Sequence, residues 1–454
     1  MNSMGYTKFK DIDCVFYEEN DAIRLIPTNQ INNIIKYIDD RDFIFTYSRN
    51  VHKCTAFIKK VEMTFGNKDI RLVPKYIFET IGDYKAIHGF NIVGDALDDF
   101  FNPANYFLLK QRNGEEIGNL VYGRENVDVW EISFEDINLT ISLSYGEILN
   151  KGRNSDLMLH PKLNINFSKN TNDLDFIYRA YKLVVKFLQL TRYDLDIGYY
   201  SMALIDENGY ECGKFYELDT SITKKCVGHQ MELNYIYYKP FIGRLLQFIA
   251  DNQNISLNHF PHSALRVNVD DYDPITFVSI FGAFEEECRA NKDLYIKADI
   301  TAVKQIRDRV LGEVKKFSKV AQTDEEKKYI EKVISRIGTT DTSVGLKNKI
   351  VNSYTVLLAA LESSVPNIFY LYNDESKKNF SIDKIGESLS DLRGIVAHGD
   401  FNGKFTDEQS QQIRFLEILA YAQLLKRVGL DDLEIEFILG IIFTCNIKYY
   451  NIID

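Results

Sequence analysis

The chain has 454 residues, of which 45% are hydrophobic and 26% are charged. These proportions are ordinary for folded domains and exclude a largely disordered, collagen-like or coiled-coil chain, while the length predicts two or three domains. The formal net charge of −11 excludes an overall basic nucleic-acid-binding protein, although it leaves room for a local basic surface.

The sequence has no pattern of a secreted or membrane protein. Residues 1–13 contain charged Lys and Asp side chains where a signal peptide would have an apolar stretch. The longest apolar runs, such as residues 437–443, are far shorter than the roughly 18–20 residues that cross a bilayer. The six cysteines are too widely spaced for a disulfide framework, which indicates reduced thiols. We therefore expect a cytoplasmic protein without membrane contact.

Residues 1–235 have the pattern of β-strands. Apolar and polar residues alternate over residues 137–145, and residues 163–167 repeat this period of two, which turns one apolar face toward a core. The dipeptide Asn208-Gly209 lies between strand-like runs and favours a tight hairpin turn. These features predict a mostly antiparallel β domain.

After about residue 236 the alternation disappears and apolar residues recur every three or four positions, as in helices. Capping-box sequences begin at Thr323 and Thr406, and Gly399 is placed to end a helix. Helices are predicted over residues 240–252, 275–292, 301–320, 323–336, 345–362, 382–397 and 407–428 and from residue 432 onward, with one earlier helix over residues 173–190 capped by Asn172.

The predicted fold class is therefore α+β, a mostly antiparallel β domain followed by an all-α helical bundle. We assign residues 1–235 to a β-rich sensor or regulatory domain, residues 236–271 to a helical connector and residues 272–454 to the helical domain.

Common cofactor and metal motifs are not found in the sequence. It has no P-loop, no dinucleotide-binding glycine motif, no HExxH and no GxSxG. His259 and His262 are close together, but Pro261 lies between them and no third ligand is nearby. We expect neither a cofactor nor a metal site.

The candidate site lies in the segment DLRGIVAHGD, residues 391–400, where four residues separate Arg393 from His398. A second Arg–His pair of similar spacing, Arg153 and His160, lies beside strands and is followed by Pro161. That setting does not suit a helical site, so we interpret the second pair as a coincidence.

The segment LRGIVAHG resembles the signature of ApeA-like HEPN domains, which are found in bacterial anti-phage proteins of the abortive-infection type. The aromatic-rich segment FGAFEE, residues 281–286, is similar to the first helix of that family, and a β-rich domain precedes the helical one in the family as it does in this chain. The resemblance covers about residues 272–454.

The resemblance implies a metal-independent endoribonuclease with Arg393 and His398 as catalytic residues. Its substrate would be cellular RNA, with tRNA as one candidate, and a phage-derived trigger would activate it. Glu285 would be an auxiliary residue that orients Arg393, or simply an exposed glutamate on its helix. Asp391 and Asp400 flank the motif and would be auxiliary residues that tune the pair, although Asp391 could equally be a solvated residue on the polar helix face. HEPN nucleases bring two motifs to one cleft, so a homodimer or higher homo-oligomer is implied.

The chemistry of the pair suits RNA cleavage. The ribose 2′-OH must lose a proton as it attacks the neighbouring phosphate, and the leaving 5′-oxygen must gain one, which an imidazole can do near neutral pH. A guanidinium can stabilise the extra negative charge on the phosphorane. On a regular helix the side chains of Arg393 and His398 lie about 140° apart. We therefore expect the helix to distort near Gly394, or to end so that His398 turns back.

Several alternatives stay open at the level of sequence. Arg393 could pair with a nearby acid while His398 caps the helix end. The domain could be a non-catalytic dimeric HEPN-like module that binds RNA, a nucleotide or a protein partner. Gly394 departs from the polar residue that often follows the Arg in HEPN nucleases.

The last sequence feature is a group of basic residues, which could be either phosphate contacts or a solvated helix face. They are Lys304, Arg307, Arg309, Lys315, Lys316, Lys319, Lys347 and Lys349.

Overall fold

The computed structural model describes most of the chain and divides it into two compact units, Met1–Leu257 and Asn258–Asp454. No helix in the described residues is both long enough and apolar enough to span a bilayer. The described residues are 4–10, 12–19, 21–28, 42–49, 52–63, 69–81, 86–103, 127–148, 158–193, 198, 200–217, 235–252, 272–296, 300–338, 345–399, 401 and 403–443.

The described part of the first unit is built on a twelve-stranded antiparallel sheet. Its strands are β1 Met4–Phe9, β2 Ile12–Glu18, β3 Ile23–Pro27, β4 Phe43–Arg49, β5 His52–Met63, β6 Ile70–Ile81, β7 Ile87–Gly94, β8 Asp128–Phe134, β9 Ile137–Ile148, β10 Met158–Thr171, β11 Tyr200–Ile205 and β12 Glu211–Tyr216.

The sheet order is β1-β2-β3-β6-β12-β11-β7-β10-β9-β8, and β4 and β5 pair beside β6. Strand β6 pairs with β5 along one edge and with β3 and then β12 along the other. Strand β1 also contacts β4, so that the first six strands surround a common core. Phe16, Leu25, Phe45, Cys54 and Leu72 are among the buried residues of this core.

The alternating segments form strands as predicted. Residues 137–145 lie in β9, which pairs with β10 so that Leu139 is opposite Phe167. The Asn208-Gly209 turn connects β11 to β12, and Gly209 has a φ of 81°, a conformation that glycine adopts without strain.

Two long helices pack on this sheet unit, Leu174–Arg192 and Ile242–Asp251. The first begins one residue later than predicted, because the carboxylate of Asp173 accepts hydrogen bonds from the backbone N–H groups of residues 175 and 176. The cap assignment to Asn172 is therefore wrong. In the second, Gln247 exchanges hydrogen bonds with the backbone of Ser133 in β8, so this helix belongs to the sheet unit.

The second unit is helical throughout its described residues, and its helices end close to where the sequence predicts. One exception is the helix predicted over residues 345–362, which ends at Val356 and is followed by a 3₁₀ turn, Ala359–Leu361.

The described helices of both units, in chain order, are α1 Asp95–Phe100, α2 Leu174–Arg192, α3 Tyr235–Tyr238, α4 Ile242–Asp251, α5 Pro274–Ala290, α6 Lys292–Tyr295, α7 Ile300–Ser318, α8 Asp324–Gly338, α9 Leu346–Val356, α10 Ser364–Ile368, α11 Asp374–Asn379, α12 Ile382–Ala397, α13 Asp407–Val428 and α14 Asp432–Ile442.

Helix α13 is the centre of the second unit and is buried along most of its length. Its capping box at Thr406 and its end at Gly429, where φ is 93°, match the sequence pattern. Near its C-terminus the Arg427 guanidinium donates two hydrogen bonds of 2.7 Å to the Glu287 carboxylate of α5. The Glu287 side chain is 0% exposed, so this ion pair joins the two helices inside the unit. An antiparallel sheet followed by a helical region confirms the predicted α+β class.

We expect Glu287→Gln to destabilise the second unit by about 3–5 kcal/mol, because it removes the buried carboxylate that neutralises the Arg427 guanidinium. Chemical denaturation followed by circular dichroism measures this loss. The matched control is Glu331→Gln, which removes an exposed carboxylate on α8 and should change the free energy of unfolding by less than about 0.5 kcal/mol. Equal effects of the two substitutions would contradict the structural role of the pair.

Candidate functional site

Helix α12 carries the predicted pair, and both of its ends are capped. The Ser381 hydroxyl accepts a hydrogen bond from the backbone N–H of Lys384 at the start. At the end, the backbone N–H of His398 donates to the carbonyl of Gly394 at 3.1 Å. Gly399 follows with a φ of 76° and ends the helix, as the sequence predicts.

The orientation of α12 is set by its packing against α9. Ile385, Leu389 and Leu392 form its buried face. Gly386 crosses α9 so closely that a Cβ at this position would lie 3.3 Å from the Lys347 backbone. Beside the crossing, the Lys347 ammonium lies 2.5 Å from the Glu387 carboxylate, which raises the pKa of Lys347. This packing determines which side of α12 faces solvent.

Arg393 lies at the margin of the buried face and is exposed. The carbon at the centre of its guanidinium is 5.8 Å from the centroid of the Phe281 ring on α5. A cation–π contact at an exposed site is worth about 0.5–1 kcal/mol and is enough to bias a side chain toward one position. No described residue forms a hydrogen bond or ion pair with this guanidinium, so its donors are free to bind an anion.

His398 is exposed and is the C-cap residue of α12, as one alternative reading of the sequence expected. Its φ of −87° and ψ of −2° are helical, and the helix continues regularly past Gly394. The expected distortion at Gly394, or reversal at His398, is therefore wrong. Because the helix is regular, the side chains of Arg393 and His398 leave it in directions about 140° apart.

The two expected auxiliary residues that the structure describes, Glu285 and Asp391, lie in different surroundings. The Glu285 carboxylate lies 3.3 Å from the ammonium of Lys349 on α9, and Lys349 is its ion-pair partner. Glu285 thus anchors α9 to α5 and forms no hydrogen bond with Arg393. Asp391 is exposed about two turns before His398 on the outward side of α12, with no ion pair to another described residue. Asp400 lies outside the described residues.

The other candidate histidines do not form a second site in the described part of the chain. His160 lies on β10 of the sheet unit, where its Nδ1 is 3.1 Å from the Asp98 carboxylate. Arg153, His259 and His262 lie outside the described residues. Within the described ranges, no group of three or more His, Cys, Asp or Glu side chains is arranged to hold a metal ion.

Sequence reasoning named Phe281 and Lys349 only as members of larger groups and did not predict their contacts with Arg393 and Glu285. In the sequence Phe281 is only one member of an aromatic-rich segment, yet its ring is the surface on which Arg393 lies. Its spacing of four residues from Glu285 places both side chains on one side of α5, which is the signal that the sequence offered. Their partners on α12 and α9 depend on how three helices pack and could not be read from the sequence.

Comparison with protein-family models, curated proteins and solved structures found no match to the chain. The family resemblance of the Arg393–His398 segment therefore stays a prediction, and the chain's own geometry must support the function.

We expect Gly394→Ala to raise the free energy of unfolding of the second unit by up to about 1 kcal/mol, because alanine costs less backbone entropy than glycine inside a helix. Among the described residues, a Cβ at this position would meet no atom within 4 Å beyond the backbone of its own helix. Denaturant unfolding measures the gain, and Gly399→Ala is the matched control. Because Gly399 has a φ of 76°, its substitution should destabilise instead. A loss of stability in Gly394→Ala would show that residue 394 does not occupy an open helical position.

Proposed function

We propose that the chain is an endoribonuclease of the HEPN type that acts in bacterial anti-phage defence by cleaving cellular RNA, with tRNA as one candidate. One observation carries this proposal. The Arg393 guanidinium is exposed and has no ion-pair partner among the described residues. It lies on the last turns of α12, the helix that ends at the exposed imidazole of His398. Both groups are accessible to a polynucleotide, which a merely structural pair inside the core would not be.

In the proposed reaction, an imidazole of His398 takes the proton of a ribose 2′-OH, whose oxygen attacks the adjacent phosphorus. A second imidazole, protonated, gives its proton to the departing 5′-oxygen. Arg393 binds the phosphorane oxygens as their negative charge grows. The products are a 2′,3′-cyclic phosphate and a 5′-hydroxyl, and the chemistry requires only proton transfer and charge stabilisation.

The geometry of α12 favours a site shared by two copies of the chain. One copy supplies a single imidazole, and its Arg393 points about 140° away from it. Ile395 is 45% exposed and lies three residues from His398, on the same outward side of the helix. Apart from the adjoining backbone, no atom of the described residues lies within 4 Å of where a Cβ would be at Gly394 or Gly399, which leaves room for close approach. A second copy covering Ile395 would bring two histidines to one cleft.

The remaining parts of the proposal concern regulation. A free cytoplasmic ribonuclease would damage its own cell, so we propose that the β-rich unit restrains the helical unit until a phage-derived trigger appears. The predicted cytoplasmic location belongs to the same proposal.

The competing proposal is a non-catalytic dimeric module that binds RNA, a nucleotide or a protein partner. One observation favours it. Glu285 is paired with Lys349, and position 394 has no side chain, so no hydrogen bond from a described residue orients Arg393.

To distinguish the two proposals, we would incubate the purified chain and its variants with total RNA in the presence of EDTA. We expect cleavage by the wild-type chain, a loss of about 10²-fold to 10⁴-fold in His398→Ala, and a comparable loss in Arg393→Ala. The product ends are tested with a phosphatase before and after treatment with a 2′,3′-cyclic phosphodiesterase, because only the opened phosphomonoester can be removed by the phosphatase.

The matched control is the double variant R153A/H160A, which removes the other Arg–His pair and should leave cleavage unchanged. RNA binding without cleavage by the wild-type chain would contradict the enzyme and support the module. Cleavage that survives His398→Ala would assign the activity to other residues or to a contaminant.

A further inference from the structure

Helices α7 and α8 form an antiparallel hairpin that exposes most of its surface. The two helices pack against each other. None of the side chains described in them is buried. The half-buried residues include Leu311 and Val314 on α7 and Ile330 and Ile334 on α8. The rest of the hairpin surface is therefore available to a partner.

The hairpin is basic in a chain that is acidic overall. Residues 300–338 contain ten Lys or Arg and six Asp or Glu, a net charge of +4, against −11 for the whole chain. Several acids are already engaged: Asp308 bonds to Arg307, and Glu313 bonds to Lys316. The cations of the hairpin that form no ion pair with a described residue are Arg309, Lys315, Lys319, Lys328 and Lys332.

Two aromatic side chains stand out from the same hairpin. Phe317 is 65% exposed on α7, and Tyr329 is 70% exposed on α8. Phe317 shares one side of α7 with the exposed Ile306 and Val310, because separations of 11 and 7 residues return to within about 40° of the same direction. Exposed aromatic rings on a surface rich in free cations are the features with which proteins bind single-stranded nucleic acid, through base stacking and phosphate contacts.

The hairpin is attached at the end of the bundle that carries the candidate site. Helices α9 and α12 run antiparallel, because Lys347 lies beside Glu387 while Tyr354 packs near Phe380. The start of α9, which follows the hairpin in the chain, therefore points toward the C-terminal end of α12. His398 lies 11 residues after Glu387, about 16 Å further along that direction.

We propose that the α7–α8 hairpin is an RNA-binding arm, which holds single-stranded substrate through its unpaired cations and exposed aromatic rings and presents it to Arg393 and His398. The proposal rests on the proposed function, since it names how that site would bind its substrate. Net positive charge favours an RNA partner over a protein partner, because the cores of protein interfaces are depleted of charge.

The test uses the full chain with His398→Ala, so that RNA is bound without being cut. Binding of a fluorescein-labelled, unstructured RNA is followed by anisotropy at several KCl concentrations. In the variant R309Q/K315Q/K319Q we expect affinity to fall about tenfold and the slope of log affinity against log salt to shrink by about 2, since each single-strand phosphate contact contributes about 0.7. In F317A/Y329A we expect a loss of about fivefold or more with an unchanged slope.

Two matched controls correct for net charge and for general loss of surface aromatics. K377Q/K378Q/K384Q makes the same change in charge on exposed lysines of α11 and α12, and Y370A/Y372A removes two other exposed tyrosines. Both controls should bind RNA as the His398→Ala parent does. Circular dichroism of every variant checks that the helices are intact.

The outcomes separate this proposal from the proposed function. The RNA-binding arm would be overturned if both hairpin variants bound RNA as tightly as the His398→Ala parent, or if the controls lost as much affinity as the hairpin variants. Either result would hold even if the wild-type chain cleaves RNA. Hairpin-dependent binding without any cleavage by the wild-type chain would support the arm and overturn the nuclease. If F317A/Y329A changed the molecular mass in light scattering while RNA affinity stayed constant, the hairpin would instead contact a second copy, and the proposal would fail.

Discussion

The close crossing of α9 and α12 at Gly386 determines which side of α12 faces solvent. A side chain at this position would press on the backbone of Lys347, so the absence of one lets the helices approach. With Leu389 and Leu392 turned into the core, the opposite side of α12 must face solvent, and His398 lies on that side. The imidazole is thus exposed because the buried face of α12 points in the opposite direction.

The same packing places Arg393 at the edge of the buried face, where the Phe281 ring supports it. A regular helix turns the guanidinium and the imidazole of one chain in directions about 140° apart, so the nuclease proposal would have each group act beside its counterpart from a second copy. The symmetry of a dimer offers a direct solution, because an exposed patch with Ile395 on one copy can meet the same patch on the other. The sequence allowed α12 to distort and bring both groups of one chain together. Because α12 is regular to its end, the nuclease proposal requires a cleft shared by two copies.

Much of the fold was readable from the sequence because local patterns determine it. The alternation over residues 137–145, the capping boxes at Thr323 and Thr406 and the stop at Gly399 all depend on neighbouring residues, and the structure confirms them. The predictions that failed depend on competition between neighbouring capping residues or on packing between helices. Asp173 takes the cap position from Asn172 because its carboxylate reaches two free backbone N–H groups. The partner of Glu285 is decided by the approach of α9, which no local pattern reveals.

The most direct test of the shared site is to co-express wild-type and His398→Ala chains, so that mixed assemblies form, and to measure RNA cleavage at constant total protein. If each cleft needs a histidine from two copies, only assemblies of two wild-type chains are active, and a threefold excess of the variant leaves about one sixteenth of the wild-type rate. If each chain works alone, about one quarter remains at the same ratio. A rate proportional to the wild-type fraction would contradict a cleft that two copies of the chain share.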